Sequence, residues 1–277
     1  MGDFLDRLKI NYHYVRTVGR LPDLQNPKTF TEKVQLAKLE WRAPRMAALA
    51  DKVESKKVVA ALLGSEWITP TLFAGPRLPP HAERTWAPPY VIKCNHRSGG
   101  HCFVTGPDVD WPRIERTIDR HLSRQYGGRL AEWVYTQITP QVLIEPFIGG
   151  PAVPPDYKLY LFGGKFAFTS MNWNRYAPGG LQRATFDRDW KRLPFVMNAY
   201  GDYDGDDVPL RPACYDEMIA GAELLARGFP FVRVDLYDIG GRPRFGEMTF
   251  YPQSGLFRMP RDYDLLVGAL WPEGLPE

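Results

Sequence analysis

Residues 91–104 read VIKCNHRSGGHCFV, a short segment that holds Lys93, Cys94, His96, Arg97, Ser98, Gly99, Gly100, His101 and Cys102. Two chemistries fit these residue types. Cys94, His96, His101 and Cys102 are soft ligands of the kind that hold zinc. Structural zinc sites, however, usually bring pairs spaced by two to four residues from two separate segments. Adjacent His101 and Cys102 would also point to opposite faces of a strand. The second chemistry is anion binding. Lys93 on a strand projects a point charge, and a bend at HRSGG turns consecutive backbone N–H groups into a concave nest, with the Ser98 hydroxyl beside it. Gly99 and Gly100 let backbone approach a phosphate with no Cβ between them. Taken alone, the segment is also compatible with a plain Gly-Gly turn, and it gains weight from a second cluster further along the chain.

That cluster lies in PFVRVDLYDIGGRPRFGEMTFYP. Side chains alternate along a strand, so Arg233, Asp235 and Tyr237 share one face, and Phe245, Glu247 and Thr249 share one face of the returning strand. A three-residue loop, Gly240–Arg242, pairs Ile239 with Pro243 and puts Asp235 opposite Glu247. It also gathers Val232, Val234, Leu236, Met248 and Phe250 into an apolar face. A two-residue loop, Gly240-Gly241, slips the register by one and sends the two acids to opposite faces. The three-residue loop is therefore the expected one. Two facing carboxylates repel unless a cation sits between them. Mg²⁺ held by one or two carboxylates together with substrate phosphates satisfies that need; ion pairs to Arg233, Arg242 or Arg244 are the plainer alternative.

The elements that must position these groups follow from periodicity and punctuation. Residues 28–63 have a helical pattern that ends at Gly64. ITPTLF, PYVIKC and HCFV read as strands. Asp110 is expected to cap a helix over 111–126, with Ile114, Ile118, Leu122 and Tyr126 on one face and Gly127-Gly128 as its stop. QVLIEPFI reads as a strand, YKLYLFGGKFAFTSMNW as a hairpin about Gly163-Gly164, and residues 215–227 as a helix closed by Gly228. Helices come first, and strands that pair mainly as hairpins follow. The expected class is α+β with antiparallel sheets.

The whole chain has 277 residues and 44% hydrophobic content, enough for a substantial core. Its net charge of +3 is too balanced for the basic stripe of a nucleic-acid protein. The 3 cysteines do not form a secreted disulfide framework. The N-terminal segment breaks its apolar residues with Asp, Arg and Lys and reads as no signal peptide. Its Met-Gly start resembles an acylation signal, but Asp6 stands where Ser or Thr is needed. No run is apolar enough to span a membrane, and a cytoplasmic location is expected. Prolines and glycines fall in short connections such as PRLPP, GGPAVPP and PGG. Neither a Walker sequence nor a GxGxxG fingerprint is present.

In order, Lys93 with its glycine turn, LIEPFI at 143–148, DYKLYLFGGK at 156–165, VRVDLYDIGG and FGEMTFYPQSG resemble the ATP-grasp superfamily. More narrowly, NPKTFTEKVQLAKL, ALADK and EMTFYPQSG are similar to its TupA-like branch, associated with teichuronopeptide, capsule and related surface-polysaccharide biosynthesis. The resemblance covers roughly residues 20–270. It implies a helical N-terminal region (1–75) and two α+β subdomains (76–147 and 148–277) that sandwich ATP. It further implies that Lys93 and Ser98, Gly99 and Gly100 contact phosphates, that Glu145, Pro146, Phe147 and Ile148 hold adenine, and that Asp156 holds ribose. Lys158 matches a second phosphate lysine, Arg233 would face the γ-phosphate, and Asp235 and Glu247 would hold Mg²⁺. Many superfamily members carry Asn two residues after the metal Glu; this chain has Thr249, a weaker ligand, which bears on a second metal ion.

The implied reaction joins a small-molecule or glycan-linked carboxylate to an amine through an acyl phosphate. Arg175, in MNWNRYAPGG, and Arg258, just after SGLF, are the arginines expected to hold the acid, and Asp187 in FDRDWKRL is a further substrate contact; Trp190 reads as a core aromatic. Three other readings use part of the same residues. A kinase of a hydroxyl substrate would want a general base that the sequence does not nominate. A non-catalytic nucleotide or glycan module would not need Lys93, Asp235 and Glu247 together. A glycosyltransferase would want a DxD motif, and DYDGDD at 202–207 sits in a Gly-rich loop.

Overall fold

The computed structural model describes residues 2–149, 153–175, 180–197, 205 and 208–273. The DYDGDD segment, Gly205 aside, and part of GGPAVPP and PGG lie outside the described residues. Among the described residues, eight α-helices and nine strands follow one another as α1 (Gly2–Val18), α2 (Phe30–Glu40), α3 (Pro44–Ala50), α4 (Glu54–Leu63), β1 (Phe73–Gly75), β2 (Tyr90–Cys94), β3 (Cys102–Val104), α5 (Trp111–Leu122), α6 (Trp133–Thr136), β4 (Val142–Pro146), β5 (Asp156–Phe162), β6 (Lys165–Trp173), β7 (Gln182–Phe186), α7 (Tyr215–Leu225), β8 (Phe231–Asp238), β9 (Pro243–Thr249) and α8 (Arg261–Ala269). All pairings are antiparallel, in a smaller sheet ordered β1-β4-β2-β3 and a larger one ordered β7-β6-β5-β8-β9. The fold is α+β, as expected.

Local chemistry explains where the helices begin. Thr29 accepts from the Glu32 backbone N–H while the Glu32 carboxylate accepts from the Thr29 N–H, a reciprocal cap that starts α2. Pro44 opens α3, and Asp110 accepts from the Arg113 N–H to cap α5. The helix from Asp110 ends at Leu122 rather than at Tyr126, because Tyr126 leaves the helical face and packs edge-on against Tyr135, 5.3 Å between ring centres. Of ITPTLF, expected as a strand, only Phe73 joins one, paired with Ile144, so the smaller sheet begins at the end of the N-terminal region (1–75).

Each sheet has its own core. Tyr90, Ile92, Cys94, Val104, Val142 and Ile144 of the smaller sheet pack with Ile114 and Ile118 of α5. The larger sheet packs with α2, α3 and α7. Phe30 at the head of α2 lies 5.1 Å from the Phe231 ring and 6.0 Å from Phe162. Because strand faces alternate, the polar residues of β2, β4, β5, β8 and β9 that share a side line the space between the sheets.

The hairpin β8–β9 departs from expectation in an instructive way. Asp238, not Ile239, stands opposite Pro243, and the Ile239 N–H donates to the Arg242 carbonyl at 3.0 Å. The turn is therefore the two-residue Gly240-Gly241, with φ of +64° and +79°. On that register alone, Asp235 and Glu247 would face apart. A β-bulge at Gly246 adds one residue to β9, and Asp235 again stands opposite Glu247. Gly246 suits this place because a Cβ there would come within 3.0 Å of the Asp235 carbonyl oxygen.

Candidate active site

A cavity of about 800 Å³ lies between the sheets. Lys93, Ser98–Gly100, Glu145–Ile148, Asp156, Lys158, Arg175, Arg233, Asp235 and Glu247 all line it. Two predicted residues do not. Arg258 is exposed and donates to the Thr17 carbonyl at 2.9 Å. Asp187 closes the turn after β7, its carboxylate accepting from the Lys191 N–H at 2.8 Å. In that turn Trp190 stacks on Phe186, 4.2 Å between ring centres, in keeping with its reading as a core aromatic.

The smaller sheet contributes a cation pair on a buried acid. Lys93 and Glu145 extend from the cavity faces of β2 and β4, and Glu145 is ion-paired with Lys93 and, at 2.5 Å, with Lys56 of α4. Burial would raise the Glu145 pKa, but the two ammonium charges outweigh it and hold the carboxyl below its usual range. Gly99 and Gly100, both at φ +73°, carry the turn that follows. A Cβ on Gly99 would meet nothing within 4 Å, so its backbone faces open space. The metal-ligand reading of this stretch finds no support: the described residues contain no group of three or more potential ligands. Burial pushes the Cys94 thiol up to about 11, and burial with Lys93 and Lys52 nearby pushes the His101 imidazole down to about 4.

The larger sheet contributes a tighter mesh. Asp235 accepts from Arg233 Nε and Nη2 at 2.6 and 2.7 Å and from Lys158 Nζ at 2.6 Å. Lys158 also pairs with Asp156 at 2.6 Å. Glu247 pairs with Lys52 at 3.0 Å and with Arg233 at 3.4 Å, and Arg233 donates to Thr249 Oγ1 at 3.1 Å. Burial opposes ionisation of Glu247, yet Lys52, Arg233 and Lys158 hold its pKa far below the usual carboxylate range. Asp235 and Glu247 thus supply the hard oxygen ligands suited to Mg²⁺, with protein cations now balancing their charge. Asp156 keeps its Oδ1 buried without a hydrogen-bond partner on the cavity wall, as does its cross-strand neighbour Asn172. Two such acceptors fit hydroxyl donors of a ligand. Arg175 lies 3.4 Å from the other Asp156 oxygen.

Sequence reasoning missed Lys52, Lys56, Glu132 and Ser254. The ADK of ALADK supplies Lys52 just before α4, where it reads as an ordinary polar helix residue. Lys38 of α2 is buried and donates to Ser254 Oγ at 2.7 Å, Gln35 Oε1 at 2.9 Å and the Leu130 carbonyl at 3.1 Å. Burial lowers Lys38 to about 8, and burial raises Glu132 to about 7 against the pull of Lys38 and a hydrogen bond from Ser254. Glu132 and Ser254 form the cavity wall beside Ser98 and Tyr126.

A family model described as TupA-like ATPgrasp matches residues 32–271. No curated protein matches the chain. Among solved structures, the D-alanine–D-alanine ligase from Helicobacter pylori is 17% identical with a TM-score of 0.40, over 81% of this chain and 61% of that one. The D-alanine–D-alanine ligase from Bacillus anthracis, complexed with ATP, is 16% identical with a TM-score of 0.43, over 80% of this chain and 64% of that one. The D-cycloserine synthetase DcsG is 15% identical with a TM-score of 0.40, over 82% and 71%. This chain spans less than two thirds of the length of either D-alanine–D-alanine ligase.

Proposed function

Since the chain belongs to the TupA-like ATP-grasp family, we propose that it is an ATP-dependent carboxylate–amine ligase. The observation that carries this reading is the convergence of Lys93, Lys158 and Arg233 with Asp235 and Glu247 on one cavity between two sheets. Three cations and two acids lining one cavity suit a polyphosphate with its metal better than any uncharged substrate.

In this reading Lys93 and the Ser98–Gly100 backbone hold phosphates from the smaller sheet, and Lys158 and Arg233 hold them from the larger. The backbone of Glu145–Ile148 borders adenine, and the orphan oxygen of Asp156 accepts from a ribose hydroxyl. Asp235 and Glu247 would hold Mg²⁺, which when bound neutralises phosphate charge. Arg175, at the cavity edge, holds the carboxylate substrate. A carboxylate oxygen attacks the γ-phosphorus, the bond from that phosphorus to the ADP oxygen breaks, and an acyl phosphate forms. An amine then attacks the acyl carbon, inorganic phosphate leaves, and the nitrogen loses a proton to give the amide. The protein's part is in-line placement and fixed positive charge. A role in making surface polysaccharide or a related glycoconjugate, in the cytoplasm, completes the proposal and rests on the family resemblance.

The test is release of ADP and phosphate from Mg-ATP with uronic acids and amino acids, each with and without an amine, against Asp235→Asn/Glu247→Gln. Release that needs both acid and amine and vanishes in the double variant is expected. Release with a hydroxyl compound alone would make the protein a kinase instead.

A further inference from the structure

Helix α1 carries an apolar stripe that the fold does not use. Ile10 and Tyr14 turn inward and are buried, Tyr14 through a hydrogen bond to Thr31 at 2.7 Å. Phe4, Leu8, Tyr12 and Val15 recur at helical spacing on the other side, with Leu5 beside them. They are 66%, 50%, 56%, 42% and 51% exposed, so the stripe faces outward along the length of the helix. Five large apolar side chains in one exposed row exceed the scattered single residues of an ordinary surface. The helix also precedes the stretch that matches the family model, so the nucleotide-binding fold does not account for it.

The flanks of the stripe are basic. At 100° per residue, Lys9 and Arg16 lie along one edge and Arg7 along the other. Lys9 pairs with Asp6 at 2.8 Å, and Arg16 lies over the Tyr12 ring and donates to its hydroxyl at 2.9 Å. An outward apolar row bordered by cations on both sides is the pattern of a helix lying in a membrane interface. There the apolar side chains enter the acyl boundary and the cations meet anionic headgroups. A second copy is the weaker occupant. A row on one 17-residue helix is about 25 Å long by about 10 Å wide, or roughly 250 Å², against the ~800 Å² per partner of a stable interface. No helix among the described residues is long and apolar enough to cross a membrane, so α1 would lie on the surface rather than span it.

We propose that α1 is an interfacial helix that seats this protein on an anionic lipid surface through Phe4, Leu5, Leu8, Tyr12 and Val15, with Arg7, Lys9 and Arg16 at the headgroups. This goes beyond the ligase reading and does not depend on it.

The test is co-sedimentation of the whole protein with phosphatidylcholine vesicles and with vesicles containing about one third phosphatidylglycerol, the anionic fraction that basic residues sense. Partition into the anionic vesicles, weakened by salt, is expected. Leu8→Ser and Phe4→Ser should each lower the partition coefficient about tenfold, and Arg7→Gln about fivefold. Circular dichroism and nucleotide binding should be unchanged, because these side chains touch neither core nor cavity. Absence of the wild-type protein from both vesicle pellets would overturn the proposal. So would equal partition of wild type and Leu8→Ser, or a dimer in analytical ultracentrifugation that Leu8→Ser dissociates.

Discussion

Lys158 and Asp235 face each other across the β5–β8 pairing with Nζ 2.6 Å from Oδ2, and each has a second partner of opposite charge. Lys158 is shared with Asp156, and Asp235 is shared with Arg233. Asp235→Asn removes a buried counter-charge from both cations and should cost about 3 kcal/mol of stability, read from a denaturant midpoint. Nucleotide phosphates can replace the missing charge. ATP without metal should therefore raise the melting temperature of the variant by more than that of the wild type; an equal or smaller rise would count against the phosphate role of Lys158 and Arg233.

Gly246 sets the register on which the acids depend. Gly246→Val puts a Cβ against the Asp235 carbonyl oxygen and should press the bulge out of β9; with every residue kept, the unbulged register then turns Glu247 away from Asp235 while the Gly240-Gly241 turn stays. ADP release with Mg-ATP is expected to fall about 100-fold or more, the scale for removing a group that stabilises developing charge. Far-ultraviolet circular dichroism should keep its strand signal. Full activity in Gly246→Val would remove Glu247 from the site.

Lys56 is expected to matter as much as Lys93, although only Lys93 lies on the strand before the glycine turn. Both ammonium groups converge on Glu145 at the cavity wall. Each Lys→Met substitution should weaken binding of a fluorescent ATP analogue by about tenfold or more, the scale of a hydrogen bond to a charged group. A Lys56→Met protein that binds normally would confine Lys56 to supporting Glu145.

The Lys38–Glu132 pair predicts a pH dependence. Glu132 is raised in the fold from its ordinary 4.5 to about 7. The folded state therefore binds more protons than the unfolded one between these values, and stability falls as pH rises through that window. The contribution is full below about 4.5 and lost above about 7, on the order of 3 kcal/mol. Lys38, lowered to about 8, changes charge only above that window. Glu132→Gln should flatten the decline in urea unfolding measured from pH 4.5 to 7; an unaltered slope would assign it to other groups.

Much of the site could be read from residue types because strand alternation is a strict rule. Lys93, Lys158, Arg233 and Asp235 reach the cavity simply by standing on the polar faces of strands whose other faces are apolar. The facing of Asp235 and Glu247 was legible only through the apolar pattern on both strands; the turn expected from it was wrong, since the bulge at Gly246 does the work assigned to a longer loop. A bulge leaves little trace in sequence beyond a glycine, and this segment has several. Lys52 and Lys56 were hidden for a different reason. They come from a helical stretch distant in sequence, and only tertiary packing brings α4 beside β4 and β9. Arg258 and Asp187 had suitable charge and loop context, but those describe most surface residues as well.

The ion-pair mesh on the cavity wall has a consequence for the order of events. Each acid there already has a cation, and each of Lys158, Arg233 and Lys52 already has an acid. A dication arriving alone must displace these ammonium and guanidinium groups and strand them; a polyphosphate arriving alone must strip them from their acids. On the proposed reading, a dication and a polyphosphate arriving together would let the cations turn to phosphate while Asp235 and Glu247 hold the metal, leaving no charge without company. On that reading the resting wall would work as an AND gate: affinity for either ligand should rise when the other is present, by the same factor in both directions.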